Sequence, residues 1–153
     1  MDIGIPTEQR EEIAQGLSRV LADSYALYLK THGFHWNVTG PMFTTLHTLF
    51  ETQYTELALA VDEIAERIRA LGTPAPGSYS EFAALSTVTE SQGRVQATDM
   101  IRELVTDQEK IAALSRELIE RAEDSPDPAT ADLATRRLDV HEKNAWMLRS
   151  HLE

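Results

Sequence analysis

The sequence predicts an all-α protein, a bundle of four long helices with a long crossover between the second and the third. Two observations carry this. Apolar residues recur at three- and four-residue spacing over four long segments, which is the period of a helix burying one stripe. Glycine and proline fall mainly between those segments, where they act as breakers rather than as parts of a periodic run. At 153 residues the chain is long enough to enclose one core, so a single domain spanning 1–153 is expected.

Residues 1 to 6 read as a short tail. Thr7 is the expected N-cap, with Glu8, Glu11 and Glu12 in the first turns, where the helix dipole favours negative charge. The first helix is expected over about 8–36, with Ile13, Leu17, Val20, Leu21, Leu27 and Tyr28 as its stripe. The turn Asn37-Val38-Thr39-Gly40-Pro41 separates it from a second helix over about 43–71. There the apolar positions are Phe43, Leu46, Phe50, Leu57, Val61, Ile64, Ile68 and Leu71, and Gly72 suits the stop. Gly72 to Gln96 is the crossover, within which residues 80–85 form a short helix. A third long helix runs over about 98–123. Asp127 as N-cap and Pro128 at the first helical position start a fourth, over about 128–151. His141 and His151 are expected at the surface and Trp146 in packing; Tyr25, Tyr28 and Tyr54 are expected in the core or an interface.

Composition narrows the chemistry. There is no cysteine, hence no disulfide and no thiolate metal site. The N-terminus lacks the basic and apolar regions of a signal peptide, and no apolar run is long enough to span a bilayer, so a cytoplasmic protein is expected. The net charge of −11 argues against electrostatic attachment to DNA or anionic lipid and suits a protein that gathers cations.

The second helix carries a second pattern. His47, Glu51, Asp62 and Glu66 share a face beside the apolar stripe, with the small residues Thr55, Ala58 and Ala65 among them. Glu51 and Asp62 are roughly 16 Å apart along the axis, too far to hold one ion within one helix. The residue numbers of His47 and Glu66 have the same sum as those of Glu51 and Asp62. A second copy of the helix laid antiparallel against the first therefore brings His47 opposite Glu66 and Glu51 opposite Asp62, about a two-fold axis near Glu56 and Leu57. The result is a dimer with two identical shared sites. His35, returned by the short turn to the start of the second helix, would complete each one. Two imidazoles and three carboxylates suit Fe(II), Mn(II) or Zn(II), and carboxylates able to bridge favour redox iron. Trp36 would sit beside the metals, in packing, in redox protection or in both; His32 is a weaker flanking candidate.

The segment KTHGFHWNVTGPMFTTLHTLFETQYTELALAVDEIAERIRALG resembles the signature of the Dps family of ferritin-like mini-ferritins. The likeness is dense over residues 25 to 72 and continues more weakly through TADL at 130–133 and HEKNAWMLRS at 141–150. It implies ferroxidase ligands at His35, His47, Glu51, Asp62 and Glu66, with Glu51 standing where the family commonly has Asp. It further implies two irons per shared site, oxidation of Fe(II) with hydrogen peroxide preferred and O2 slower, and storage of ferric mineral in a twelve-subunit cage. Zn(II) or Mn(II) could occupy the same ligands. Iron would enter through acidic three-fold pores, for which Asp127 and Asp132 are the candidates. The alternative intrasubunit site of ferritin-like bundles needs Glu-x-x-His motifs, and no histidine here is preceded by Glu at that spacing.

Two further function classes remain: a nucleoid DNA-binding protein, and a structural cage with an inactive site. DNA binding is expected to be weak or absent, because residues 1 to 12 set Arg10 alone against Asp2, Glu8, Glu11 and Glu12, and no basic extension follows Glu153.

Overall fold

Five α-helices and no strand make up the chain, which the computed structural model describes over residues 1–153: α1 (Thr7–Asn37), α2 (Phe43–Ala70), α3 (Tyr79–Leu85), α4 (Ala97–Asp124) and α5 (Pro128–Arg149). α1 and α2 form one antiparallel hairpin and α4 and α5 another; α1 packs along α4, and α3 lies against α1. The stripes meet at the centre. Leu17, Leu21 and Leu27 of α1 are buried with Leu46, Phe50, Leu57, Ile64 and Ile68 of α2, and with Ile101, Leu104, Ile111 and Leu118 of α4. Each such side chain contributes about 1.5–3 kcal/mol by leaving water, far more than the helix propensity of its residue type.

Local chemistry sets the ends. Gly72, at φ +92°, closes α2 in a Schellman arrangement, with Gly72 N donating to Arg69 O (2.9 Å) and Thr73 N to Ile68 O (3.4 Å). Arg10 also reaches this end, donating to Leu71 O at 2.9 Å. Thr7 is not an N-cap: Pro6 holds the cap position without a side-chain bond, and the Thr7 hydroxyl accepts from Arg10. Asp127 does cap α5, accepting from Thr130 N at 3.0 Å, with Pro128 following it.

The crossover is tied down by one buried carboxylate. Asp23 of α1 accepts from Ser86 Oγ (2.7 Å), Thr87 N (2.5 Å), Thr87 Oγ1 (2.6 Å) and Val88 N (3.2 Å). Lys30 adds a bond to Thr89 O at 2.8 Å. A long connection would otherwise leave its backbone groups to solvent; here α1 supplies their partners.

Two expectations for α5 are overturned. His141 is 0% exposed, and Trp146 is 60% exposed. The buried face of α5 runs Ala134, Arg137, His141, Ala145, Leu148, a three-four repeat that includes two polar residues. Trp146 follows Ala145 and so points about 100° away from it. Phe43, counted in the α2 stripe, is 44% exposed and instead stacks on His47, with ring centroids 5.1 Å apart.

Asp23→Ala leaves Thr87 N and the Ser86 and Thr87 hydroxyls without their acceptor, and Val88 N with Ser86 Oγ alone. It should lower stability by about 3 kcal/mol and expose residues 86–96 to limited proteolysis; unchanged melting and digestion would contradict the clamp. Burial, with the Arg137 cation beside it, depresses the His141 pKa to about 3 in the folded chain, against about 6.5 when unfolded. The unfolded state therefore binds more protons between these values, and stability present above about pH 6.5 is lost as the pH falls below it. Thermal unfolding between pH 7 and 5 should show this slope in the parent and a flatter one in His141→Gln; identical slopes would contradict it.

Candidate functional site

The α1–α2 turn builds the site. Val38 is buried and donates to Phe34 O at 2.9 Å, Gly40 takes φ +104°, and Phe43 N returns to Gly40 O at 3.0 Å. So short a reversal sets the last turn of α1 against the first turns of α2. His35 and His47 meet there, ring centroids 3.7 Å apart and 16° from parallel.

Their hydrogen bonds are reciprocal. His35 Nδ1 lies 2.7 Å from His47 O, and His47 Nδ1 lies 2.8 Å from His35 O. A carbonyl oxygen only accepts, so each Nδ1 carries a hydrogen. In the neutral ring each Nε2 is then an unprotonated lone pair. A histidine whose second nitrogen is held by a carbonyl has its tautomer and orientation set for metal binding. His35 is buried, at 8% exposure, and His47 half-buried.

Around this pair lie the expected flanking residues His32 and Trp36, and also Tyr54, which the sequence assigned only to the core or an interface. Tyr54 approaches His35 edge-on at 5.2 Å between ring centroids and His32 at 4.3 Å. Partial desolvation, followed by the nearby Glu51 carboxylate and Tyr28, pushes its phenol above the usual range. Its placement three residues after Glu51 was the available signal. His32 sits between Tyr54 and Trp36, 4.0 Å from the indole centroid. Trp36 is 60% exposed in the single chain, so core packing within one subunit is not its role.

The carboxylates divide as the helix geometry requires. Glu51 lies one turn beyond His47; Asp62 and Glu66 lie roughly 16 Å and more further along α2. All three are exposed. Within one chain no three His, Asp or Glu side chains form a metal-binding group. His35 and His47 are the pair that the chain brings together, and Asp62 and Glu66 lie too far along α2 to reach them within it.

The two pore candidates differ. Asp127 is 1% exposed and bonded to Arg67 Nη2 (2.7 Å) and Thr130 Oγ1 (2.6 Å). Burial pushes its pKa up, but the Thr130 and Arg67 bonds prevail and hold it below the usual range. Its carboxylate is engaged in capping rather than turned to solvent. Asp132 is exposed and pairs with Arg136 at 3.0 Å.

Comparison with known proteins agrees with this architecture. Residues 14–153 match the ferritin-like domain. A low temperature-induced protein of Nostoc sp. is 43% identical, over 100% of this chain and 87% of that protein. DNA protection during starvation protein 2 of Bacillus anthracis is 37% identical, over 93% of this chain and 97% of that one. The Dps protein of Vibrio cholerae, described as a member of a broad superfamily of ferritin-like diiron-carboxylate proteins, superposes with a TM-score of 0.94 at 32% identity, over 99% and 95% of the two chains. DpsC of Streptomyces coelicolor reaches a TM-score of 0.97 at 28% identity, over 100% and 90%.

Proposed function

Because the chain belongs to the Dps family of ferritin-like proteins, we propose that it detoxifies and stores iron, taking Fe(II) as substrate at a site shared between two-fold-related subunits. His35, His47 and Glu51 come from one subunit and Asp62 and Glu66 from its mate. The observation that supports this best is the reciprocal His35–His47 lock, which leaves two imidazole lone pairs side by side with no partner of their own.

The chemistry assigned to each residue follows from its donors. The imidazoles bind Fe(II) through Nε2 without losing a proton. The carboxylates neutralise the ions and, by changing denticity, accommodate the greater charge of Fe(III). Two Fe(II) held together supply two electrons; with two protons these reduce hydrogen peroxide to two waters, so no one-electron hydroxyl radical is released. Hydrogen peroxide is the preferred oxidant and O2 a slower one. Zn(II) or Mn(II) competes for the same donors. Ferric product collects inside a cage of twelve subunits assembled from two-fold dimers, with Asp132 at the entry pore. A cytoplasmic setting suits this role; no helix is long and apolar enough to cross a membrane.

Protection of DNA, which several relatives carry in their names, would come here from removing iron and peroxide rather than from binding the duplex. Arg10, the one basic residue of the first twelve, is engaged with Ile5 O and Leu71 O. The net charge of −11 opposes phosphate contact.

The test is anaerobic addition of Fe(II) to metal-free protein followed by peroxide. The parent should oxidise iron at about one peroxide per two Fe(II). His47→Ala and Asp62→Ala should each lose about 10- to 100-fold in initial rate. Variants that oxidise iron like the parent would refute the site.

A further inference from the structure

The middle of the bundle is polar where the stripes lead one to expect leucine. Arg137 of α5 is 4% exposed, and its guanidinium donates to both oxygens of Glu56 on α2. The same nitrogen, Nη2, lies 3.1 Å from Glu56 Oε2 and 3.2 Å from His141 Nε2. A guanidinium only donates, so His141 Nε2 accepts, and the ring hydrogen resides on Nδ1. That nitrogen donates to Gln108 Oε1 of α4 at 2.6 Å, which also settles the orientation of the amide.

This is the arrangement of a metal-binding histidine: one ring nitrogen anchored to an amide oxygen, the other offering its lone pair to a cation. A carboxylate oxygen and an imidazole lone pair converge on one positively charged nitrogen. Gln53, one helical turn before Glu56, is buried with neither side-chain atom paired, and Gln108 Nε2 and Arg137 Nε are also unpaired. Such orphaned groups are uncommon in native interiors and mark a polar centre rather than ordinary core. A cleft of about 390 Å³ between α2 and α5, lined by Glu56, Ala60, Glu63 and Arg136, reaches the guanidinium from the surface.

We propose that Arg137 is a built-in cation that fills a divalent-metal position between α2 and α5 of each subunit, formed by Glu56 and His141, and thereby keeps iron out of the bundle. Only the destination of the excluded iron rests on the interface site proposed above. Carboxylate and imidazole make a mixed N/O pair suited to Fe(II), Co(II) or Zn(II). Direct ligation needs donors about 2.0–2.2 Å from the ion, so both would close by about 1 Å once the guanidinium is gone. With it present, an entering ion meets a fixed positive charge and finds both donors taken.

The test uses the full chain with the interface site disabled by Asp62→Ala and Glu66→Ala, titrated with Co(II) and followed by its visible absorption. In this background Arg137→Gln, which is neutral and shorter, and Arg137→Ala should each add about one Co(II) per subunit. Adding Glu56→Gln should abolish the gain, and Arg137→Lys should not produce it. A folded Arg137→Gln or Arg137→Ala variant that gains no Co(II), or a gain indifferent to Glu56→Gln, overturns the proposal. A second measurement needs no substitution. In the intact protein with labelled histidines, Zn(II) should leave the His141 ring resonances in place; a shift at His141 overturns the proposal. The His35 and His47 resonances in the same spectra report on the interface site, so failure of either reading is seen separately.

Discussion

Two hydrogen bonds across the α1–α2 turn hold the functional end of this protein together. His35 and His47 each donate from Nδ1 to the other's carbonyl, so the imidazoles fix the hairpin and the hairpin fixes the imidazoles. Neither ring can rotate without giving up a bond. The two nitrogens left over are the ones a metal would use. Once the histidines sit at the start of α2, the rise of the helix carries Asp62 and Glu66 out of their reach within the chain, which is why the proposed ligand set draws on a second subunit.

The remainder of the bundle supports that end without sharing its chemistry. Asp23 gathers the crossover onto α1, which lets a long connection lie flat instead of trailing. Gly72 and Arg10 close the far end of α2. Asp127, Thr130 and Arg67 join α5 to α2. Glu56, Arg137, His141 and Gln108 link α2, α5 and α4 at mid-height. A buried set of this kind stabilises only while every member keeps its partner, and that makes it an unfavourable place for a metal to enter while the arginine is there.

The helices were legible because their stripes are long and regular: Leu46, Phe50, Leu57, Ile64 and Ile68 are spaced for one face, and all are buried. The symmetric placement of His47, Glu51, Asp62 and Glu66 was legible from helix geometry alone, and the family from the string around it. What escaped notice was residues whose type disguises their position. His141 and Arg137 occupy core positions between Ala134 and Leu148; the spacing was there to read, but their chemistry suggests a surface. Trp146 and Phe43 are the converse, large apolar residues set just off a stripe. The reciprocal bonds of His35 and His47 depend on the path of a five-residue turn, which periodicity does not encode. The pairing of Tyr54 with His35 depends on how two helices are rotated against each other.

The central claim is that each site takes its ligands from two chains, and complementation tests it most directly. Subunits carrying His47→Ala alone and Asp62→Ala alone are dissociated, mixed in equal amounts and reassembled, and peroxide-driven iron oxidation is measured. In a mixed dimer one of the two sites collects both substitutions and the other collects none. With random pairing, about a quarter of all sites are then intact, and the mixture should recover about a quarter of the parent rate although each variant alone keeps only about a tenth to a hundredth of it. No recovery in properly reassembled mixtures would place all five ligands within one chain and contradict the shared site.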